Sequence, residues 1–135
     1  MLNWFINPTR SFTRAWVIAT IIIIFVLLSL PGDNLPDNSH WWSNLPIDKL
    51  VHMMLFGILA FAFFANFKAS NKPTLQGDRP KALALIFCLL FGIGMEYYQK
   101  YFVPSRGFEV ADMLADTFGA ILALPIFNFI HRNKE

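Results

Sequence analysis

The sequence has little charge and almost no cysteine. Charged residues make up 15% of its 135 residues, whereas a soluble domain typically carries about 25%. The single cysteine, Cys88, excludes a disulfide within the chain. It lies inside an apolar run, so we interpret it as a packing residue. The scarcity of charge argues against a soluble domain.

Hydrophobic residues make up 56% of the chain and are concentrated in four long runs. A helix rises about 1.5 Å per residue, so about 20 residues cross the roughly 30 Å hydrocarbon core of a bilayer. The runs lack the period-two alternation of strands. They predict an all-α, polytopic transmembrane four-helix bundle. We expect one domain over residues 1–135, with helices at about 15–30, 50–67, 82–102 and 110–130.

The basic residues are unevenly distributed between the two ends of this bundle. With a cytoplasmic amino terminus, the inner side carries Arg10, Arg14, Lys68, Lys72, Arg79, Lys81, Arg132 and Lys134, and the outer side carries Lys49, Lys100 and Arg106. This bias predicts a multi-pass protein of the inner (cytoplasmic) membrane with both termini in the cytoplasm. The predicted aromatic belts contain Trp41, Trp42, Tyr97, Tyr98 and Tyr101 outside, and Trp4 and Trp16 inside.

Ionisable side chains interrupt the apolar runs near the outer end. Each costs about 2.5–3.5 kcal/mol at the centre of a bilayer, so their positions carry information. Pairs spaced three or four residues apart share one helix face, and Arg106 lies in the turn between the third and fourth helices. We therefore predict one polar cluster at one depth. The candidate binding residues are Asp48, Lys49, His52, Glu96, Gln99, Arg106, Asp112 and Asp116.

A purely structural interpretation of these residues stays open. Asp48 has the character of a helix N-cap, and Asp112 that of a first-turn acid favoured by the helix dipole. Arg106 can pair with Glu96 or Asp116 and hold the bundle together. Glu96 and Asp116 lie deeper than an interfacial role explains, which favours a functional cluster.

Several kinds of chemistry suit such a cluster. Arg106, Lys49 and His52 can hold a phosphate or carboxylate, which predicts membrane lipids and an anionic envelope precursor as partners. Glu96 and His52 are the catalytic candidates for acid–base hydrolysis. Proton-coupled transport would require a homo-oligomer of so small a bundle. Metal binding is an alternative, because the cluster holds suitable ligand types in Asp48, His52, Glu96, Asp112 and Asp116. The chain has no HExxH or Cys/His ligand pattern, so we predict no metal centre and no cofactor. Nucleic acid is not an expected partner.

Two segments together resemble the VanZ-like family. They are DKLVHMMLFGILAF in the second helix and GIGMEYYQKYFVPSRGFEVADMLADTFGA through the third and fourth helices. The family pattern is Asp-Lys-x-x-His, Glu-x-x-Gln before a Pro-x-Arg turn, and Asp-x-x-x-Asn-x-x-Gly. The matching positions are Asp48, Lys49, His52, Glu96, Gln99, Pro104, Arg106, Asp112, Asp116 and Gly119.

The resemblance implies a cell-envelope protein, since the family is named after a protein associated with low-level resistance to the glycopeptide teicoplanin. The leading hypothesis is a polar cluster that binds an anionic envelope component such as a lipid head group. The alternative is a membrane-embedded hydrolase or transferase acting on an envelope lipid or peptidoglycan precursor. One departure matters here: Asp116 stands where the family commonly has asparagine, which changes the charge of the cluster.

Overall fold

The computed structural model describes residues 8–32 and 47–132. These ranges contain α1 (Arg10–Leu28), α2 (Ile47–Lys68), a 3₁₀ turn (Pro73–Leu75), α3 (Asp78–Phe102) and α4 (Val110–Arg132). The same ranges contain no strand. The predicted all-α class with four helices is therefore confirmed.

α1 and α3 begin earlier than the hydrophobic runs predict. α1 begins at Arg10 rather than near residue 15, because the hydroxyl of Thr9 accepts a hydrogen bond from the N–H of Phe12 at 3.4 Å and caps the helix. α3 begins at Asp78 rather than near residue 82, directly after Gly77, whose φ of 99° favours glycine. Both first turns are polar, so a hydropathy pattern does not include them.

Contacts between helix ends define an up-and-down bundle. The end of α3 meets the end of α1, where Gln99 donates to the carbonyl of Leu28 at 3.0 Å. The start of α2 meets the start of α4, where Lys49 donates to Asp112 at 3.0 Å. We call this end, with its turn at residues 103–109, the turn end, and the opposite end the basic end. Hydrogen bonds at the basic end join Thr13 to Asn66 (3.1 Å) and Lys81 to Asn128 (3.2 Å).

Apolar side chains cover the outside of all four helices. Strongly exposed examples are Ile18, Met54, Leu83, Leu90, Leu114 and Phe129. A soluble protein rarely exposes so continuous an apolar surface. Each of the four helices is also long and apolar enough to cross a bilayer. The chain is thus a multi-pass membrane protein.

The predicted aromatic belts are described only in part. Trp4, Trp41 and Trp42 lie outside the described residues, as does Lys134 among the basic residues of the inner side. At the turn end, Tyr97 and Tyr101 are exposed at 51% and 67%, as interfacial tyrosines should be.

α2 packs most extensively against α4, and glycines bring the two helices together. A Cβ atom added to Gly57 would lie 3.1 Å from the carbonyl oxygen of Gly119, and one added to Gly119 would overlap the backbone of Met53. Helices in a bilayer associate largely through such close van der Waals packing, which small residues permit. The register of α2 against α4 is therefore fixed at these glycines.

This packing predicts that Gly119→Ala destabilises the bundle, because the added methyl group forces α4 away from Met53. We expect a loss of about 1–3 kcal/mol in the free energy of unfolding, as for other overpacked cores. Gly94→Ala is the matched control, since a Cβ there meets nothing within 4 Å, and should be neutral or stabilising by about 0.5–1 kcal/mol. Denaturation in mixed micelles measures both, and equal effects would contradict the packing described.

Candidate functional site

Three helices and one turn bring polar side chains together at the turn end. His52 lies five residues inside α2, Glu96 six residues before the end of α3, and Asp116 six residues inside α4. At about 1.5 Å per residue, all three lie about 8–9 Å from their helix ends. We call the whole group the turn-end cluster: Asp48, Lys49, His52, Glu96, Arg106, Glu109, Asp112 and Asp116.

Lys49 bridges two carboxylates at the edge of the cluster. Its Nζ lies 2.8 Å from Oε2 of Glu109 and 3.0 Å from Oδ1 of Asp112. The side chain of Asp112 is only 4% exposed, whereas those of Lys49 and Glu109 are 33% and 54% exposed. Exposed ion pairs contribute little, so the bond to Glu109 is the one that exchanges easily.

Arg106 pairs with Asp48, not with Glu96 or Asp116 as the structural interpretation of the sequence suggested. Its Nη1 lies 3.1 Å from Oδ1 of Asp48. Asp48 is the second residue of α2 and so lies at the level of the turn, whereas the other two acids lie deeper. Asp48 is therefore a partner of Arg106 within the first turn of α2, not an N-cap.

His52, Glu96 and Asp116 form the core of the cluster, and we call them the buried triad. Their exposed fractions are 0%, 0% and 1%. Nδ1 of His52 lies 2.9 Å from Oδ1 of Asp116, and Oε2 of Glu96 accepts the backbone N–H of Glu109 at 2.9 Å. Gly92 makes room for Asp116, because a Cβ there would come within 2.8 Å of Oδ2.

Each member of the triad also has one atom without a hydrogen-bond partner among the described residues. These atoms are Nε2 of His52, Oε1 of Glu96 and Oδ2 of Asp116. The nearest charged group to Nε2 is Oδ2 of Asp112, 3.9 Å away, which is beyond hydrogen-bonding distance. Buried polar atoms are normally paired, so these three need an explanation.

One predicted residue of the site lies apart from the cluster, and one residue of the cluster was not predicted. Gln99 is buried but turns towards α1, where it donates to the carbonyl of Leu28 and satisfies a group that the helix end leaves open. Glu109 was not predicted, yet it contacts both Lys49 and Glu96. The sequence signal for Glu109 is an acid immediately before the first residue of α4, where the helix dipole favours negative charge.

The structure places metal-ligating groups closer together than the sequence pattern indicates. His52, Glu96 and Asp116 each offer a ligand atom, and the three atoms lie within 4.8 Å of one another. Asp48, His52 and Asp112 form a second such set around the same imidazole. Sequence spacing predicted no metal centre because these ligands come from three separate helices.

Acid–base chemistry by His52 and Glu96 requires a substrate to reach them. Both side chains are fully buried, so a substrate would have to enter past the turn at residues 103–109. The arrangement therefore supports the binding of a small group more directly than turnover of a large substrate.

Residues that the structure describes line a groove at each end of the bundle. One, of about 550 Å³, runs between α2 and α4 from the turn end and is lined by Lys49, Leu50, Met53, Ala111, Leu114, Ala115, Thr117, Phe118 and Ile121. The other, of about 350 Å³, lies at the basic end, with Lys68, Lys81, His131 and Arg132 in its lining. The first groove is apolar except at Lys49 and Thr117.

Comparison with known proteins places the chain beside one family. The model of the VanZ/LLP1 family matches residues 2–131. An uncharacterized protein of Schizosaccharomyces pombe is 28% identical over 125 residues, which cover 90% of this chain and 68% of the relative. No solved structure matches.

Two ion pairs of the cluster, Arg106–Asp48 and Lys49–Glu109, should differ in strength. A double-mutant cycle with Arg106→Gln and Asp48→Asn should give a coupling free energy of about 1–3 kcal/mol, because Arg106 is only 9% exposed. The cycle with Lys49→Gln and Glu109→Gln is the matched control and should give about 0.2–1 kcal/mol. Unfolding in mixed micelles measures both, and a stronger Lys49–Glu109 coupling would contradict this description of the site.

Proposed function

This chain belongs to the VanZ/LLP1 family, and on that premise we propose that its turn-end cluster binds the anionic head group of a membrane lipid. The proposed location is the inner (cytoplasmic) membrane, with both termini in the cytoplasm and the turn end facing outward. One observation carries the proposal: Lys49, whose side chain is 33% exposed, lies at the end of the apolar groove between α2 and α4.

The groove and Lys49 together match the two parts of a lipid. An acyl chain along the groove contacts Leu50, Met53, Leu114 and Phe118, while a phosphate accepts charge-assisted hydrogen bonds from Lys49. The phosphate takes the place of Glu109, whose exposed ion pair is easily exchanged.

Arg106 gives a second reason to expect an anion at the turn end. Its Nε is buried and has no acceptor among the described residues, although its Nη1 is held by Asp48. A guanidinium fork with one free N–H direction is suited to a phosphate or carboxylate oxygen.

The charge balance of the cluster restricts which anion binds. Five carboxylates (Asp48, Glu96, Glu109, Asp112 and Asp116) face two permanent cations, Lys49 and Arg106. A free anion from solution is therefore disfavoured. A lipid is not, because its acyl chain adds the transfer free energy of apolar contact, roughly 0.8 kcal/mol for each buried CH₂.

The fungal relative bears on the choice between a lipid and a peptidoglycan precursor. A similar protein in Schizosaccharomyces pombe favours a ligand that is not restricted to bacterial envelopes. A lipid phosphate meets that condition, so we place it ahead of the precursor.

Retention of lipid by the purified protein tests the proposal. We expect native mass spectrometry to show more retained phosphatidylglycerol than phosphatidylcholine, and Lys49→Gln to lower phosphatidylglycerol retention about tenfold, the equivalent of about 1.4 kcal/mol. Lys100→Gln is the control, since Lys100 is also at the turn end but lies over the ring of Tyr101.

Two results would contradict the proposal. Equal retention of the two lipids would mean that the cluster does not recognise the negative charge of the head group. Loss of phosphatidylglycerol from Arg132→Gln and not from Lys49→Gln would move the lipid to the groove at the basic end, which Arg132 lines.

A contribution to teicoplanin resistance is the second consequence of family membership that we propose. Wild type and Glu96→Gln are expressed at matched membrane levels in a glycopeptide-sensitive bacterium, and susceptibility to teicoplanin is measured beside vancomycin. We expect wild type alone to raise the inhibitory concentration of teicoplanin. Folded wild type that gives no protection would exclude this consequence and leave lipid binding unaffected.

A further inference from the structure

The buried triad leaves three polar atoms without partners. Nε2 of His52, Oε1 of Glu96 and Oδ2 of Asp116 are each buried and have no hydrogen-bond partner among the described residues. Their side chains are 0–1% exposed. Two carboxylates buried in a membrane-spanning bundle are costly, and a positive charge beside them lowers that cost.

The contact between His52 and Asp116 indicates where a cation would lie. Nδ1 of His52 is 2.9 Å from Oδ1 of Asp116. With the imidazole proton on Nε2, Nδ1 carries a lone pair, so these two neighbouring atoms can bind one cation. Nε2 then lies 3.9 Å from Oδ2 of Asp112, and imidazoles that bind metal ions commonly have a carboxylate near the other ring nitrogen.

We propose that His52, Glu96 and Asp116 bind one divalent transition-metal ion of the Zn²⁺ class. The triad offers one imidazole nitrogen and two carboxylate oxygens, the ligand types that zinc takes at about 2.0–2.2 Å. Ligand atoms within 4.8 Å of one another need only a small closure to reach those bond lengths. The set contains no sulfur and one nitrogen, which favours Zn²⁺ over Cu⁺ and over Mg²⁺.

Neighbouring groups support the three ligands and connect them to the surface. The backbone N–H of Glu109 fixes the second oxygen of Glu96 at 2.9 Å, and Gly92 admits the carboxylate of Asp116. Asp48 and Asp112 form the second ligating set around His52. Because the Asp48 side chain is 28% exposed, these two acids provide a route for the ion from the turn end.

The inference does not rest on the proposed lipid function. The metal ligands lie below the surface of the cluster, whereas Lys49 and the groove lie at its edge. Metal binding is measured in detergent without added lipid, so either proposal can fail while the other holds.

Metal titration of the purified full-length chain tests the inference. The chain is isolated through a tag without histidine, stripped with a chelator, and titrated with Co²⁺, followed by its visible absorption, and with Zn²⁺ in competition. We expect one equivalent per chain, at least about tenfold weaker binding in Glu96→Gln and in Asp116→Asn, and a rise in melting temperature with Zn²⁺ in wild type that is smaller in these two variants.

The controls separate this site from other binding. Asp116→Asn keeps the shape and the acceptor for His52, so it provides a folded variant if Glu96→Gln does not fold. Cys88→Ser and Asp78→Asn, a buried thiol and a carboxylate at the basic end, should bind metal as wild type does. No stoichiometric binding by wild type, binding unaffected in the two triad variants, or binding lost with Cys88→Ser would each overturn the inference.

Discussion

The close approach of α2 and α4 at Gly57 and Gly119 is the constraint on which the rest of the structure depends. Gly119 lies against the backbone of Met53. The preceding residue, His52, is therefore fixed both in its position along the bundle axis and in the direction of its side chain. His52 is therefore held beside Asp116, three residues before Gly119, at 2.9 Å. In a bilayer, backbone contact of this kind takes the place of the hydrophobic effect as the main source of helix association.

That constraint produces an unusual distribution of charge at the turn end. The outer members of the cluster are paired, Arg106 with Asp48 and Lys49 with two acids. Of the inner members, His52 and Asp116 contact each other and Glu96 accepts the backbone N–H of Glu109. Each of the three still has one atom without a partner among the described residues. A cluster built only to stabilise helix packing would gain by satisfying those atoms, or by replacing them with apolar side chains. The proposed cation inside the cluster and the proposed anionic head group at its edge would lower each other's electrostatic cost and account for these polar side chains.

Much of this architecture could be predicted from the sequence, because long apolar runs and polar pairs at helical spacing are strong local signals. The four helices and the convergence of His52, Glu96, Asp112 and Asp116 follow from them. Three features could not be predicted: the partner of Arg106, the contact of Gln99 with α1 and the role of Glu109. They depend on how each helix is rotated about its own axis and how far it is shifted along its neighbours. Residue spacing along a single helix does not encode either quantity. The sequence predicted no metal centre at His52, Glu96 and Asp116, because these three candidate ligands belong to three helices and form no ligand pattern along the chain.

X-ray absorption at the zinc edge of the metal-loaded protein tests the central claim most directly, because it reports the ligand atoms themselves. The account predicts one imidazole nitrogen and carboxylate oxygens at about 2.0–2.2 Å, with no sulfur. It also predicts that the imidazole signal disappears in His52→Ala. A sulfur ligand at about 2.3 Å, or a shell of water oxygens alone, would contradict it.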